Sequence, residues 1–310
     1  MLAYAVRRVL YTIPVLLGVA ALVFLLFHSV GEDPVRVALG THATPESIAE
    51  LRAQWGLDKP LALQFVDFLG QIVTFDYGES YNSGEQLSAM FAQGAAVSLW
   101  LTVPPFLIGL VINLVFGLLV AYYRGTWFDR LSTGVLIMTM SISYLVYIIG
   151  FQYFFAYRLE LFPINGYEHG LAGVKYLLLP WIIILTVTAG EDVRMYRTMF
   201  LDETQADYVR TARAKGVGEP GVLLGHVLQN ALIPIVTYTM VAVPFLVMGA
   251  FLMERYFSLP GVGDLMITAI NNGDFPVLKG LTMVIAIAYS AMVLLTDLVY
   301  AWVDPRVSLR

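Results

Sequence analysis

Long apolar runs almost free of charged residues constrain this chain more than any other feature of its sequence. A bilayer core of about 30 Å requires about 20 apolar residues in a helix that crosses it. Asp297 is the sole Asp, Glu, Lys or Arg within these runs, which cover residues 9–30, 96–123, 131–157, 176–190, 231–253 and 280–303. The sequence therefore predicts an all-α integral membrane protein with about six transmembrane helices.

The charge content agrees with this prediction and excludes several classes of function. Charged residues make up 13% of the chain, whereas soluble proteins usually carry roughly 25%. A net charge of -5 argues against a nucleic-acid binder that relies on bulk positive charge. The absence of cysteine excludes disulfides, thiolate catalysis and cysteine-ligated metals.

Positive charge is unevenly divided between the two sets of loops. With the N-terminus in the cytoplasm, 11 of the 18 Lys and Arg residues fall on the cytoplasmic side. With the acidic residues included, the cytoplasmic side carries +3 and the outer side -7. The positive-inside rule therefore predicts that both termini are cytoplasmic, with the first run retained as a span.

The positions of these runs divide the chain into four expected regions. They are a first span at 1–30, an external helical subdomain at 31–95, a five-span core at 96–303 and a cytoplasmic tail at 304–310. In the external region, Thr44 before Pro45 predicts a helix N-cap with proline at the first helical position. A second short helix is expected over residues 61–74.

A cytoplasmic loop at 191–230 contains five of the eleven inside positive charges. Residues 202–214 contain no Gly or Pro, which favours a helix. One face of this helix would carry Asp207, Arg210 and Arg213, and another would carry Ala206, Val209 and Ala212. Gly216 and Gly218 are expected to end it, and a further helix should begin at Glu219.

Two interpretations of this corner remain open from the residues alone. Cations and small side chains at a sharp turn can dock into a groove on another protein. Alternatively, the loop simply obeys the positive-inside rule and lies on anionic lipid headgroups.

Several motifs together resemble those of a known family. Residues 207–216 (DYVRTARAKG), followed by 230–234 (NALIP), resemble the cytoplasmic signature loop of ABC importer permeases. Further similar stretches are Arg7-Arg8 with Pro14, 32–34 (EDP), 55–60 (WGLDKP), 76–80 (DYGES), 254–263 (ERYFSLPGVG), 274–276 (DFP) and 304–306 (DPR). Over its whole length the chain resembles the oligopeptide/dipeptide/nickel permease family, specifically the subunit with a large first external loop.

The resemblance implies a type I ABC importer permease in the bacterial cytoplasmic (inner) membrane. Its expected partners are a second homologous permease subunit (as a heterodimer), two cytoplasmic ABC ATPase subunits, an external solute-binding protein and membrane lipid, but no nucleic acid. ATP and Mg would be bound by the ATPase subunits, and this chain is expected to hold no cofactor or metal and to be no enzyme. The phosphate-binding sequence G-x-x-x-x-G-K-[ST] does not occur in it.

The resemblance also implies that the 207–234 loop carries a coupling helix that docks on an ATPase subunit. The residues assigned to coupling are Asp207, Arg210, Ala212, Arg213, Lys215, Gly216 and Glu219. Arg210, Arg213 and Lys215 are expected to fix the register by contacts with acidic residues of the partner. Gly216 is expected to allow the close approach.

Five residues are candidates for the translocation pathway or its gate: Pro104, Tyr147, Pro244, Glu254 and Asp297. Prolines inside spans free backbone carbonyls for a solute or simply kink a helix. Tyr147 would line a wet cavity, belong to an interfacial aromatic belt or pack against other side chains. Glu254 would attract a peptide amine or mark the membrane interface, and Asp297 would be functional or meet water, Tyr300 and Arg306.

Alternative interpretations of the sequence differ in the solute that is transported or in the class of membrane protein. Peptides fit the resemblance best, and nickel chelates, oligosaccharides or other small solutes are alternatives. A secondary transporter would need internal repeats and paired ionisable groups near the midplane, which the sequence lacks. An intramembrane enzyme would need a motif such as H-E-x-x-H or G-x-S-x-G, and neither occurs.

Overall fold

The structure, a computed structural model, describes residues 2–29, 34–39 and 44–303. Helices dominate this part of the chain, which contains no β-strand beyond an isolated bridge between Glu79 and Gln86. The predicted tail at 304–310 lies outside the described residues. The helices are α1 (Leu2–Ser29), α2 (Pro34–Leu39), α3 (Pro45–Gln54), α4 (Leu61–Thr74), α5 (Leu87–Tyr122), α6 (Trp127–Ser141), α7 (Tyr144–Phe151), α8 (Val174–Thr204), α9 (Asp207–Ala214), α10 (Glu219–Val222), α11 (Leu228–Ala242), α12 (Phe251–Phe257), α13 (Val262–Asn272) and α14 (Phe275–Val303).

Five of the described segments are long and apolar enough to cross a membrane, and a bent helix pair brings the number to six. The five are Val6–His28, Leu87–Tyr122, Gly170–Thr204, Glu219–Val247 and Phe275–Tyr300. The predicted all-α membrane fold is therefore confirmed. The span expected at 176–190 belongs to a longer helix, because its charged continuation after Gly190 forms hydrogen bonds and an ion pair with other helices.

The expected span at 131–157 is broken rather than straight. Helices α6 and α7 meet at an angle of 95°. Ile142 and Ser143 adopt extended backbone conformations between them. Beyond α7, a π-helical segment over Gln152–Arg158 continues the second half. Apolar composition predicted the length of this segment, but it contains no proline that would have indicated the break.

The first of two structural units takes its described residues from 1–98, 247–254 and 260–295. Its buried core brings together side chains from α1, α4, α5, α13 and α14. The fully buried members include Ala20, Leu87, Val277, Leu281 and Met283. Sequence-distant segments therefore enclose one apolar interior.

Two short helices of this unit follow their predicted boundaries closely. Thr44 accepts a hydrogen bond from the Ser47 amide, and the Ser47 hydroxyl accepts one from the Thr44 amide, which forms a reciprocal capping box. Pro45 occupies the first turn, as expected. The second helix spans Leu61–Thr74, the range predicted from the sequence.

The second unit takes its described residues from 99–246, 255–259 and 296–303. Its main buried cluster joins the C-terminal end of α5 to α8, α9, α10 and α11. Phe200, Val209, Val222 and Ala231 are fully buried there. The short α9 and α10 are thus held by packing, since helices of eight and four residues have little stability alone.

Candidate coupling site and pathway residues

A tight turn joins α9 to α10, and we call residues 207–222 the Gly216 corner. The Gly216 amide donates to the Arg213 carbonyl at 2.9 Å, and the Val217 amide donates to the Ala212 carbonyl at 3.2 Å. This pair of bonds is a Schellman cap, which requires a left-handed residue after the helix. Gly216 supplies it with φ of +82°. The sequence prediction that glycine ends this helix is therefore confirmed in its local geometry.

The inner face of the corner is apolar and buried. Val209 is fully buried and Ala212 is 5% exposed. Both pack in the cluster that also contains Val222 of α10 and Phe200 of α8. The predicted small-residue face therefore points into its own unit, which leaves the charged face for solvent or a partner.

An internal ion pair joins the two sides of the corner. Nε of Arg213 donates to Oε1 of Glu219 at 2.7 Å, and Nη2 donates to Oε2 at 3.2 Å. The two side chains are 42% and 44% exposed. The guanidinium of Arg213 is thus engaged within the chain, and its expected contact with an acidic residue of a partner stays a prediction.

The remaining coupling candidates on the outer face are more exposed. The Arg210–Asp207 contact is 3.4 Å long, and the two side chains are 72% and 96% exposed. Lys215 is exposed as well. A cavity of about 470 Å³ adjoins the corner and is lined in part by Tyr123, Arg124, Leu201, Arg213 and Glu219.

The corner begins later than the sequence predicted. The helix expected from residue 202 is interrupted after Thr204, whose hydroxyl donates to the Leu201 carbonyl at 2.8 Å. Ala206 is extended, with ψ of 149°. Tyr208 donates a hydrogen bond back across this break to the Glu203 carboxylate. Partial burial, together with this carboxylate, raises the pKa of Tyr208 to about 12.

Helix α8 is anchored to α6 by a bidentate ion pair. Arg197 Nε and Nη2 donate to the two oxygens of Asp129 at 2.9 and 3.0 Å. The Gly125 amide donates to the same carboxylate at 2.9 Å. The pair is largely buried, so the planar fork of arginine holds the two helices in one orientation.

The sequence as a whole matches one described family of membrane proteins. Residues 113–309 match "Binding-protein-dependent transport system inner membrane component", and residues 1–97 match the corresponding N-terminal family. The chain belongs to this family. It is a multi-pass permease subunit of an ABC importer. Membership of this family implies partnership with ATPase and solute-binding subunits. The family predicted from the motifs is confirmed.

Curated relatives cover the permease almost end to end. It is 31% identical to a dipeptide transport system permease protein, DppB, of Alkalihalophilus pseudofirmus, and 33% identical to the glutathione transport system permease protein GsiC of Salmonella typhimurium. A putative peptide transport system permease of Brucella abortus is also 33% identical. Each alignment covers 99% of both chains.

The fold is similar to that of a solved transporter chain. A chain from the inward-facing MetNI methionine ABC transporter superposes with a TM-score of 0.56 at 17% identity. The match covers 69% of the permease and 96% of that chain. The predicted ABC importer permease fold is therefore confirmed.

Two pathway candidates of the permease, Pro104 and Pro244, are prolines inside helices. The backbone carbonyl that each leaves without its helical N–H partner accepts a hydrogen bond from another group. Because proline has no N–H, Pro104 leaves the Trp100 carbonyl without its helical partner. The indole Nε1 of Trp181 donates to that oxygen at 3.1 Å. Likewise, Pro244 releases the Met240 carbonyl, which accepts bonds from the Val243 amide and, at 3.4 Å, from the Thr296 hydroxyl.

Tyr147 lies at the broken span of the permease. Its hydroxyl donates to the Thr139 carbonyl at 2.9 Å, which satisfies a backbone acceptor near the end of α6. The side chain is buried, and its ring packs edge-on against Phe151. These contacts correspond to the packing alternative of the sequence analysis.

Glu254, for which the sequence analysis left open attraction of a peptide amine or a position at the membrane interface, is fully buried. Oε1 accepts hydrogen bonds from the Ser98 hydroxyl at 2.7 Å and the Ala250 amide at 3.0 Å. Oε2 accepts one from the Asp264 amide at 3.0 Å. The carboxylate is thus surrounded by donors of its own unit, because the chain turns back on itself after α12.

Asp297 is half-buried in α14. Tyr300, three residues later, donates to the Thr237 carbonyl at 2.5 Å. Arg306, the other expected neighbour, lies outside the described residues. A functional role of Asp297 therefore stays a prediction.

Sequence reasoning missed the polar partners that lie far apart in the chain. Asp192 accepts hydrogen bonds from Asn113 at 3.0 Å and Tyr238 at 3.2 Å. The Arg197–Asp129 pair joins residues 68 positions apart. The sequence indicated such contacts only through charged residues just beyond an apolar run. Spacing alone does not identify their partners on other helices.

Proposed function

We propose that the permease forms half of a pathway that imports di- or oligopeptides, driven by separate ATPase subunits that bind the Gly216 corner. The observation that carries this proposal is the construction of the corner. It is short, fixed by a glycine cap and a two-bond ion pair, and it presents Arg210 and Lys215 outward. The peptide cargo rests on the dipeptide, glutathione and peptide permeases that the chain resembles.

The proposed assembly is a heterodimer with a second homologous permease, served by two cytoplasmic ATPase subunits and an external solute-binding protein. ATP and Mg belong to the ATPase subunits, and this chain is not an enzyme. It lies in the bacterial cytoplasmic membrane with both termini inside, which the charge distribution supports. Residues 31–95 form the external part, 96–303 the five-span core and 304–310 the tail.

Movement at the corner is proposed to reach the spans through two connections. Val209 and Ala212 pack on α8 and α11 side chains in one buried cluster, so the corner moves with those helices. The Arg197–Asp129 pair then joins α8 to α6. Interfaces with discrete hydrogen-bonded arrangements of this kind convert a local displacement into rotation of packed helices.

The pathway candidates take different roles in this proposal. Pro104, Tyr147, Pro244 and Glu254 shape the helices around the pathway, since each is tied to a neighbour in its own unit. Asp297 is the candidate that contacts the solute or its water, because it is a half-buried charge in a span.

A substitution at Gly216 tests coupling, and Gly170 provides a matched control. Both glycines have positive φ, of +82° and +73°, and neither has atoms within 4 Å of an added Cβ. Gly216→Trp and Gly170→Trp therefore impose similar backbone strain at different places. The measurement is ATP-driven uptake of a labelled dipeptide into proteoliposomes that contain the full transporter, together with its ATPase rate.

We expect Gly216→Trp to abolish uptake and dipeptide-stimulated ATPase activity, while Gly170→Trp retains both. Equal activity of the two variants would overturn the coupling assignment. Uptake of a nickel chelate or an oligosaccharide, with no uptake of peptides by the wild type, would overturn the cargo alone.

A further inference from the structure

Three sequence motifs of the first unit meet at one cavity that the coupling function does not use. The cavity has a volume of about 650 Å³, within the range of roughly 300–1,000 Å³ that is usual for small-molecule sites. Its lining includes Trp55 to Leu57, Asp76 to Tyr81, and Phe275 with Pro276. These residues belong to the motifs 55–60, 76–80 and 274–276, which lie far apart in the sequence.

The rim of this cavity is acidic. Asp67, Asp76 and Glu79 line it, and all three are exposed. Asp67 pairs with Lys59 at 2.6 Å, and Glu79 accepts a hydrogen bond from Gln86 at 3.1 Å. Each carboxylate has further acceptor positions, because an ionised carboxylate accepts about four hydrogen bonds. The rim can therefore receive an ammonium group.

The interior of the cavity carries the opposite charge. Lys279 lines it from the first turns of α14 and is only partly exposed. Among the described residues it forms no ion pair, and its ammonium lies over the Phe24 ring at 6.0 Å from the centroid. A cation in such surroundings favours an anionic partner, because desolvation strengthens the attraction between them.

Tyr77 forms another part of the wall of this cavity. The side chain is 6% exposed and lines the cavity, and its ring would contact a side chain added at Gly280. In the described part of the chain its hydroxyl has no hydrogen-bond partner. Its oxygen has almost no accessible surface, so the ring shapes the wall of the cavity while the hydroxyl does not face a ligand in it.

One wall of the cavity is held rigidly. The rings of Trp55 and Tyr81 stack at 3.4 Å with an angle of 2° between their planes. Asp274 accepts a bond from the Ser80 hydroxyl at 2.5 Å and one from the Tyr81 amide at 3.3 Å. A wall that is ordered before a ligand arrives reduces the entropy lost on binding.

We propose that this cavity binds a small zwitterion, with its anionic group at Lys279 and its ammonium at the acidic rim. Two sources present this chemistry on the outer side of the membrane: a free di- or tripeptide and the headgroup of phosphatidylethanolamine. The inference rests on the proposed orientation and cargo, and it adds a second binding site to the proposed function. Such a site holds its zwitterion apart from any site in the pathway.

The test uses the purified complex of both permeases and the ATPase subunits, without the solute-binding protein. Dialanine is titrated by calorimetry into the detergent-solubilised complex, and co-purified phosphatidylethanolamine is measured by mass spectrometry before and after delipidation. The variants are Lys279→Gln, inside the cavity, and Glu79→Gln, at its exposed rim. Arg36→Gln removes an exposed cation of the same unit that does not line the cavity.

We expect dialanine to bind and both cavity variants to weaken it about tenfold or more, with Arg36→Gln unchanged. N-acetylalanine amide, which has no charged end, should not bind. Phosphatidylethanolamine that is retained by the wild type and lost in Lys279→Gln also supports the site and identifies the lipid as its source. If neither ligand responds to either cavity variant, the inference is wrong. Dialanine uptake by the wild-type transporter with its binding protein is measured separately, so its failure would count against the proposed function instead.

Discussion

The Ser98 hydroxyl donates a 2.7 Å hydrogen bond to Oε1 of Glu254 and accepts one from the Val262 amide at 2.8 Å. Both side chains are inaccessible, at 1% and 0% exposure. Around them the chain has no space for larger residues, since a Cβ at Gly261 would lie 2.4 Å from Cδ of Glu254. The segment around Ser98 and the distant segment 250–264 are thereby joined by one buried carboxylate and one hydroxyl.

Glu254→Gln should destabilise the protein by about 1–3 kcal/mol, although the side chain keeps its shape. The glutamine amide nitrogen is a donor, and it would face backbone or hydroxyl donors that now approach both carboxylate oxygens. Thermal unfolding in detergent measures the change. Glu85→Gln, at an exposed position of the same unit, is the control and should unfold like the wild type. A Glu254→Gln variant as stable as the wild type would contradict this account of the hydrogen bonds to Glu254.

Exchange of Arg213 and Glu219 distinguishes two roles of Arg213: an internal ion pair with Glu219 and a direct contact with the ATPase subunit. Arg213→Glu alone places two carboxylates together and should reduce dipeptide-stimulated ATPase activity severalfold. The double variant Arg213→Glu/Glu219→Arg restores the pair and should recover at least half of that activity. The same exchange of Asp207 and Arg210 should not restore activity, because Arg210 faces outward and is proposed to contact the partner. Failure of the first exchange would favour a direct partner contact for Arg213.

Alanine should have opposite effects at two helix glycines. A Cβ at Gly190 of α8 would lie 2.8 Å from Thr139 Oγ1 and 3.1 Å from the Leu136 carbonyl, whereas Gly134 of α6 has nothing within 4 Å. Gly190→Ala should destabilise the protein by about 1–3 kcal/mol through overpacking. Gly134→Ala should be neutral or stabilise it by about 0.5–1 kcal/mol, because alanine favours helix. Unfolding of both variants in the same detergent compares them, and equal shifts would contradict the packing of α6 against α8.

Tyr208 should remain largely protonated at pH 11. Its pKa in the folded protein is about 12, compared with 10.0 for an unperturbed tyrosine. Because the folded state binds the proton more tightly, its contribution to stability is complete below pH 10 and is lost as the pH rises through 12. The difference in tyrosinate absorbance between wild type and Tyr208→Phe gives the midpoint, while circular dichroism monitors the helices. Glu203→Gln should lower that midpoint, and a wild-type midpoint near 10 would refute the prediction.

Local patterns in the sequence predicted local structure well. Thr44-Pro45 marked a helix start, the run at 61–74 gave both ends of α4, and Gly216 marked the end of α9. In each case the physical cause is contained within a few residues: a capping side chain, an apolar period or a positive φ. The motifs at 207–216 and 230–234 likewise led to the family, because they are continuous in the chain.

Features that depend on distant segments escaped prediction. The bend between α6 and α7 has no proline, and its freed carbonyl finds a partner in Tyr147 of the next helix. The buried environment of Glu254 was not predicted, because Ser98, which donates to its carboxylate, stands 156 positions away. The internal pair of Arg213 with Glu219 was not predicted, because a charge pattern does not show which side of a turn a guanidinium will reach.

The hydrogen bond from Trp181 to the Trp100 carbonyl has a mechanical consequence. An indole has a single N–H, so the bond holds α8 and α5 at one axial position and is lost when either helix slides by a few ångströms. The released carbonyl would then lie in an apolar environment without a donor. The hydrogen bond therefore favours discrete relative positions of α8 and α5. Sliding of one helix along the other is favourable only between positions where the carbonyl has a donor, and intermediate positions are short-lived.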